Sequence, residues 1–365
     1  MIIVHIAEAF AGGISTFLKL LIENMPHDRH VIIHGERPQV AKFEDIRKDF
    51  NYPNVEFIRW NSAQRSIHPI KDTKAFAELY KILRPFRKTG VDAIHLHSSK
   101  SGFIGRMVCN VLRFPNVIYT PNGAPFMVGK SVFSNTMYKA LEKLGSAFGG
   151  KVVCCSESER VAYAKAGIKA VTINNGINLT KEPDHISTYI DSSKFRIAFS
   201  GRVLDQKNPA LFNRIASYFV DLPQFEFIWV GDGPDVKMLK SPNIRITGWL
   251  PQHEAKQIIK ASHIYLSTAK FEGLSFSVLE ALAMKKPVLL TDCIGNCDMI
   301  KDGLNGDLYR DAKDAINKIL RYYNNMDMLS IMGHNSMQYC YDEFDIKHTQ
   351  SQYRSLYEGA PISQQ

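Results

Sequence analysis

From one end of the chain to the other, short aliphatic and β-branched runs alternate with segments in which apolar residues recur every three or four positions. That alternation restricts the fold more than any single motif. Strands buried on both faces read as continuous apolar runs, and joining them in parallel requires a crossover, usually a helix. The expected class is α/β, built from doubly wound parallel sheets. In the first half, strands are expected at 2–6, 31–33, 55–58, 93–96, 117–120 and 152–155, with helices near 15–25, 73–88, 101–113, 134–148 and 157–166. The second half repeats the rhythm, with strands at 196–200, 225–230, 244–247, 264–267 and 288–291 and helices near 210–222, 253–261 and 277–284.

At 365 residues the chain is too long for one typical domain and comfortable for two. Between 174 and 194 the periodicity lapses into NNGINLTKEPDHISTYIDSSK, rich in turn formers and charges, which places a linker there. We expect one domain over 1–180 and a second over 181–344. Ligands of doubly wound sheets lie at the carboxyl ends of the strands, so a cleft between two such domains is the expected site.

Formal charge is +9, from 45 Lys and Arg against 36 Asp and Glu, which favours polyanions, phosphorylated ligands or an anionic membrane surface. Nucleic acid is not an expected partner. No uncharged apolar run is long enough to span a bilayer, and the opening MIIVHIAEAFAGG reads as a strand entering a glycine turn, without the basic region of a signal peptide. The expected location is the cytoplasm, at most peripheral on the inner membrane. Six cysteines sit mostly in apolar runs, as reduced core residues do, and Cys293 with Cys297 lacks a second ligand pair, so no metal is expected.

The densest chemistry lies in FEGLSFSVLEALAMKKPVLLTD, 271–292, where Glu272 and Glu280 flank small and apolar residues. Glu272 precedes a helix and Glu280 rides on it. Between them the backbone N–H groups of Leu274, Ser275 and Phe276 form a helix N-terminus, which favours an anion. Upstream, the strand at 196–200 runs into SGRVLDQKN, delivering Gly201, Arg202 and Lys207 to a sheet's carboxyl edge, where two cations can clamp a diphosphate. The next strand ends in VGDGP, whose Gly231 opens a tight turn at the same edge.

The series GRVLDQKN, VGDGP, TGWLP and FEGLSFSVLEALAMKKPVLLTD resembles the donor domain of the retaining glycosyltransferases of family 4, which have the GT-B fold; AGGIST, DAIHLHSSKSGFIGR, VVCCSESER and INNGIN extend the likeness over nearly the whole chain. The resemblance implies that Arg202 and Lys207 bind the pyrophosphate of a nucleotide-sugar donor, that Glu280 bonds ribose hydroxyls and that Glu272 bonds hydroxyls of the transferred sugar. Gly273, Leu274, Ser275 and Phe276 would complete the phosphate cradle, and Trp249 and Leu250 would border the base. It implies a last helix within 345–365 that crosses back onto the first domain. It also implies a glycan or lipid-linked acceptor in bacterial surface polysaccharide synthesis, a UDP-sugar as donor and no metal.

In the first half, Gly12 and Gly13 would let the backbone approach the acceptor or phosphates; AFAGGIS lacks the G-x-G-x-x-G order of a dinucleotide site, despite Glu36 after the second strand. His97, at the end of the fourth strand, is either directed into the cleft or a core histidine. Asn122 stands where family members often carry a histidine; it can bond a hydroxyl but cannot act as a base. Phe133, Met137, Leu141, Leu144 and Phe148 fall at helical spacing, with Lys130, Lys139, Lys143 and Lys151 elsewhere, a stripe expected to be core rather than a membrane contact. Arg84, Arg87 and Lys88 close another helix with positive charge. Two further functions compete with transfer: an epimerase or hydrolase of the same fold, and a binding module without activity.

Overall fold

The computed structural model describes residues 1–37, 42–64, 66–127, 132–179 and 194–360. The core of the expected linker, 180–193, and Lys130 fall outside them. The chain divides into two compact units, one taking Met1–Gly176 with the segment from Ile346 onward and the other Ile177–Asp345.

In the first unit the elements follow as β1 (Ile2–Ala7), α1 (Gly13–Glu23), β2 (Arg29–His34), α2 (Phe43–Lys48), β3 (Val55–Arg59), α3 (Pro69–Thr89), β4 (Ala93–His97), α4 (Ser99–Leu112), β5 (Val117–Thr120), α5 (Val132–Ser146), β6 (Lys151–Cys154), α6 (Glu157–Lys165) and β7 (Ala170–Thr172). The strands form one parallel sheet in the order β3-β2-β1-β4-β5-β6-β7. The reversal of order beside β1 is that of a doubly wound sheet. The second unit runs β8 (Phe195–Ser200), α7 (Pro209–Tyr218), β9 (Phe225–Val230), β10 (Ile244–Ile246), α8 (Gln252–Lys260), β11 (Ile264–Ser267), α9 (Phe276–Ala283), β12 (Val288–Thr291), β13 (Gly306–Tyr309), α10 (Ala312–Tyr323) and α11 (Met326–Glu343). Its parallel sheet has the order β10-β9-β8-β11-β12-β13. Two parallel Rossmann-like sheets in one chain are the architecture of GT-B enzymes.

The last helix, α12 (Ile346–Tyr357), packs on the first unit. Tyr357 Oη lies 2.8 Å from His95 Nδ1, Tyr353 Oη lies 3.2 Å from Thr120 Oγ1, and the Arg354 guanidinium meets Asp28 at 3.1 Å. Asn116 caps the helix end, its Nδ2 donating to the carbonyls of Leu356 and Tyr357.

The two faces of the first sheet differ. One carries Val4, Ile6, Val31, Ile33, Ile94 and Leu96, covered by Leu79 and Leu83 of α3 and Ile104 and Val108 of α4. The other carries histidines: the register sets His5 opposite His95, His97 opposite Ala7 and Thr120, and His30 opposite Ile3. All four are fully buried, with Phe17 of α1 and the tyrosines of α12 against the rings. Sequence patterning did not disclose this face, because each histidine lies in a run that is otherwise apolar.

The stripe on α5 departs from expectation. Phe133, Met137 and Leu144 are exposed, while the helix turns Glu142 and Gly145 inward. Buried Arg106 of α4 is the reason: its guanidinium meets Glu142 at 3.2 Å and lies 4.4 Å from the Tyr119 ring centroid, and Tyr119 Oη donates to Glu142 at 2.8 Å. Leaving a buried guanidinium unpaired would cost more than exposing aliphatic side chains, so the ion pair sets the helix orientation.

Candidate active site

The carboxyl ends of β8, β9 and β11 lie side by side, because those strands neighbour one another in the sheet. Gly201 and Arg202 follow β8, and a single 3₁₀ turn, Asp205–Lys207, then presents Lys207. Asn208 takes a left-handed conformation at φ 53° and caps α7, its side chain accepting from the Leu211 amide. Across the edge, Lys207 Nζ is ion-paired with Glu272 Oε1. The carboxylate is only 6% exposed, so the pair is shielded from water and holds both groups in place. Thr268 Oγ1 donates to the Lys207 carbonyl at 2.7 Å, tying the turn to the segment after β11.

Gly231 accounts for the close approach of the β9 turn. Its φ is 138°, and a Cβ there would stand 2.3 Å from the Gly201 carbonyl oxygen. Trp229 Nε1 donates to that same oxygen at 2.9 Å. The VGDGP turn therefore braces the loop that carries Arg202. Gly231 also bridges Gly248, which places the TGWLP segment at this edge; there Leu250 is half-buried and Trp249 is 63% exposed.

Helix α9 begins at Phe276, so Glu272 to Ser275 is extended or turned backbone and the two glutamates are not separated by helical rise throughout. The first helical bonds come from the Val278 and Leu279 amides, both to the Ser275 carbonyl. Amides ahead of them at such a terminus point outward without helical partners. Gly273 leads into this turn, and Leu274 and Ser275 are buried. Gly295 backs the turn so closely that a Cβ would sit 2.6 Å from the carbonyls of Glu272 and Gly273. Glu280, on the first turns of α9, accepts from Gln252 at 3.0 Å and pairs with Lys256 at 3.4 Å, both on α8. Tyr265 joins the parts: its hydroxyl lies 3.2 Å from the Ser200 amide and 2.9 Å from Ser277 Oγ. Tyr265, Gly295, Gln252 and Lys256 escaped the sequence analysis. Only Gly295 left a local trace, in the dipeptide Gly295-Asn296.

In the first unit the expected residues do not converge as the second unit's do. Gly12, at φ 60°, precedes α1, and both Gly12 and Gly13 are exposed with open space where a side chain would be. Asn122 is half-buried with φ 57°, a conformation asparagine tolerates better than most residues, and its Nδ2 bonds the Thr120 carbonyl at 3.2 Å. Beside it the Gly123 amide donates to Glu159 at 2.8 Å. His97 corrects the reading that directs it into a cleft. It is fully buried, its Nε2 lies 3.2 Å from His5 Nδ1, and its Nδ1 has no hydrogen-bond partner.

The histidine cluster continues from His5 Nε2 to His30 Nδ1 at 3.1 Å, and His95 Nε2 meets Thr120 Oγ1 at 2.8 Å. Ring nitrogens of His5, His95 and His97 lie within 4.8 Å of one another, a spacing that also suits a metal ion. Hydrogen bonds among the rings and with Thr120, Tyr357 and the Met25 carbonyl engage every ring nitrogen of the four histidines except His97 Nδ1. Burial lowers the His97 pKa to about 3 and the His30 pKa to about 4, and pushes His5 and His95 well below the ordinary value, helped by neighbouring histidine charge. All four are neutral imidazoles at pH 7.

Fold and site together define a class, the GT-B glycosyltransferases. Among solved structures, Anabaena HepE in complex with UDP and glucose matches over 98% of this chain and 100% of its own, with a TM-score of 0.79 at 16% identity. Sucrose-phosphate synthase from Thermosynechococcus elongatus matches over 98% of both chains, with a TM-score of 0.79 at 16% identity. Residues 11–181 match the family model described as Glycosyltransferase Family 4, and residues 194–325 the one described as Glycosyl transferases group 1. The Escherichia coli UDP-Gal:alpha-D-GlcNAc-diphosphoundecaprenol alpha-1,3-galactosyltransferase is 26% identical over 363 residues, covering 92% of this chain and 90% of that protein. The chain belongs to the family 4-like glycosyltransferases.

Proposed function

We propose that this enzyme moves a sugar from a UDP-sugar to a hydroxyl of a lipid-linked glycan during bacterial surface polysaccharide synthesis, with retention at the anomeric carbon and without a metal ion. The observation that carries the reading is the shielded Lys207–Glu272 pair beside Arg202, at the carboxyl edge of β8 and the N-terminus of α9. The likeness to an undecaprenyl-diphosphate-dependent galactosyltransferase, and to a protein crystallised with UDP and glucose, supports the choice of donor and acceptor.

Arg202, Lys207 and the first amides of α9 supply positive charge where the diphosphate leaves, the role a divalent cation would otherwise fill. Lys207 uses one of its three donors on Glu272, leaving two for phosphate oxygens; Glu272 uses Oε1, leaving Oε2 for a sugar hydroxyl. The Gly201–Gly231 contact holds the Arg202 loop at fixed distance, so these groups are positioned before the reaction rather than during it. Glu280 receives the ribose hydroxyls, exchanging its bond to Gln252. Trp249 and Leu250 flank the base. In the chemical step the bond from anomeric carbon to phosphate oxygen breaks, the acceptor oxygen bonds the same face of that carbon, and its proton passes to the leaving phosphate. Asn122 orients the acceptor and takes no proton. An acceptor anchored in a bilayer brings the enzyme to that surface.

The test is to incubate the protein with UDP-galactose, UDP-glucose or UDP-N-acetylglucosamine and a polyprenyl-diphosphate-linked sugar, then assign the product's anomeric configuration by NMR. An α-linked product formed equally in EDTA is expected, with Arg202→Ala weakening both UDP stabilisation and turnover. Inversion, EDTA loss restored by manganese, or an Arg202→Ala variant equal to the parent would overturn the corresponding part.

A further inference from the structure

Glu159 is a fully buried carboxylate of the first unit. It stands three residues after Ser156 in SESE, the order of a helix capping box, and Ser156 Oγ accepts from the Glu159 amide at 3.3 Å where α6 begins. In such a box the third helical residue returns its side chain to the amide of the cap residue, a task that glutamine performs as well as glutamate. Here the carboxylate goes elsewhere. Its Oε1 accepts from the Gly123 amide at 2.8 Å, and its Oε2 from the Cys155 amide at 2.9 Å and the Cys155 thiol at 3.3 Å. Gly123 lies beyond the end of β5 and Cys155 beyond the end of β6, and those strands pair in the sheet, so one side chain clips two neighbouring loops together at the carboxyl edge.

Burying an ionised carboxylate is costly, and only a group with an acceptor at both ends of its fork can serve two amides at once. Glutamine at 159 would fill the same volume yet turn an NH2 toward one of the two N–H donors. Holding the loops therefore explains the charge, and capping α6 does not. What the clip holds is an uncommon turn: Asn122 at φ 57° and Gly123 at φ 103° are consecutive residues at positive φ, which asparagine adopts at a cost in energy. Within that turn Asn122 Nδ2 donates to the Thr120 carbonyl at 3.2 Å, which commits one end of the amide to the protein and leaves Oδ1 to accept from outside.

We propose that Glu159 is a positioning residue for the sugar acceptor: by fixing the Asn122–Gly123 turn it sets Asn122 Oδ1 to accept a hydrogen bond from an acceptor hydroxyl adjacent to the one that attacks. This rests on the proposed transfer to a glycan and adds the group that fixes the acceptor's orientation. Glu159 itself touches no substrate. The acceptor it serves carries a free hydroxyl beside the reacting one.

The test has two readouts on the full-length protein. The first is hydrogen exchange resolved at single amides without substrate: Gly123 and Cys155 should exchange slowly in the parent, and E159Q should release at least one of them. Rapid exchange at Gly123 in the parent would overturn the clip, whether or not any variant folds. The second is steady-state transfer from a UDP-sugar to a polyprenyl-diphosphate-linked sugar. E159Q should raise the acceptor KM about tenfold, with donor KM and UDP stabilisation unchanged. N122G, in which glycine keeps the turn, should raise the acceptor KM to a similar degree, and N122G/E159Q should be no worse than N122G alone, because both act through one contact. A lower thermal transition in E159Q with a level acceptor KM would reduce Glu159 to a helix cap and overturn the proposal, as would equal rises in donor and acceptor KM, or full additivity of the two substitutions. Those results leave the proposed function standing. A parent protein that binds UDP yet transfers to no lipid-linked sugar would instead overturn the proposed function and the acceptor role with it.

Discussion

Lowering the pH from 7.5 to 5 should unfold the first unit selectively, because its sheet is built on neutral histidines. The sign follows from where protons bind. An unfolded histidine titrates near 6.5, whereas His30 and His97 in the folded sheet resist protonation until about 4 and about 3, and His5 and His95 are shifted the same way. Above about pH 6.5 neither state is protonated and the cluster is neutral in its effect. As pH falls below that, the unfolded chain takes up protons that the folded sheet refuses, and stability is lost. At pH 5 each refused proton amounts to about 2 kcal/mol, so His30 and His97 together remove about 4 kcal/mol, with His5 and His95 adding in the same direction. A domain with about 5–15 kcal/mol in total cannot absorb much of that. Asp28 opposes the shift through His30, while Tyr353, Tyr357, Thr120 and Phe17 pack the rest without charge. The assay is urea unfolding at pH 7.5, 6.5, 5.5 and 5.0 in a W229F/W249F protein, where buried Trp60, whose Nε1 donates to the Ala75 carbonyl, reports the first unit alone. A midpoint that stays level from pH 7.5 to 5.0 would refute the reasoning, as would an unchanged pH slope in H97N.

Glu272→Ala should lower turnover far more than UDP affinity, because its free oxygen meets the sugar and not the nucleotide; single-turnover rates beside UDP titrations would show the split, and equal losses would place the residue elsewhere. Glu280→Ala should instead raise the donor KM with little change in kcat. Replacing Gly145 by Ala puts a Cβ 2.4 Å from Arg106 Nη2, so despite gaining about 1 kcal/mol of helix propensity it should destabilise the first unit by about 1–3 kcal/mol, read as a shift in the Trp60 transition.

Much of the fold was legible because parallel strands are continuous apolar runs, and β5, β9, β11 and β12 have the bounds expected from sequence. Less apolar elements escaped: β13 is GDLY, β7 has three residues, and α2 has six. Helix α3 starts at Pro69, whose missing N–H is one that the first turn would not use, and it runs on through Pro85, at the loss of one backbone bond, to Thr89. In the second unit, Lys207 and Glu272 stand in motifs that a parallel sheet brings to one edge, so the sequence could nominate them as partners. In the first unit the decisive facts are tertiary. His5 meets His95 only through strand register, and the orientation of α5 depends on a glutamate chosen by an arginine on another helix. A helical stripe of Phe133, Met137 and Leu144 says that one face is apolar, and nothing local says whether that face is inside.

The attachment of α12 to the first unit has a consequence for synthesis. A ribosome completes the first seven strands long before residue 346, yet the tyrosines that cover the histidine face come from Tyr353 and Tyr357. The unit made first must therefore wait for the end of the chain, while the donor-side unit can mature as soon as its own last helix emerges. A released chain truncated after Asp345 should show a protease-resistant second unit beside a sensitive first one, and restoring the last helix should protect both.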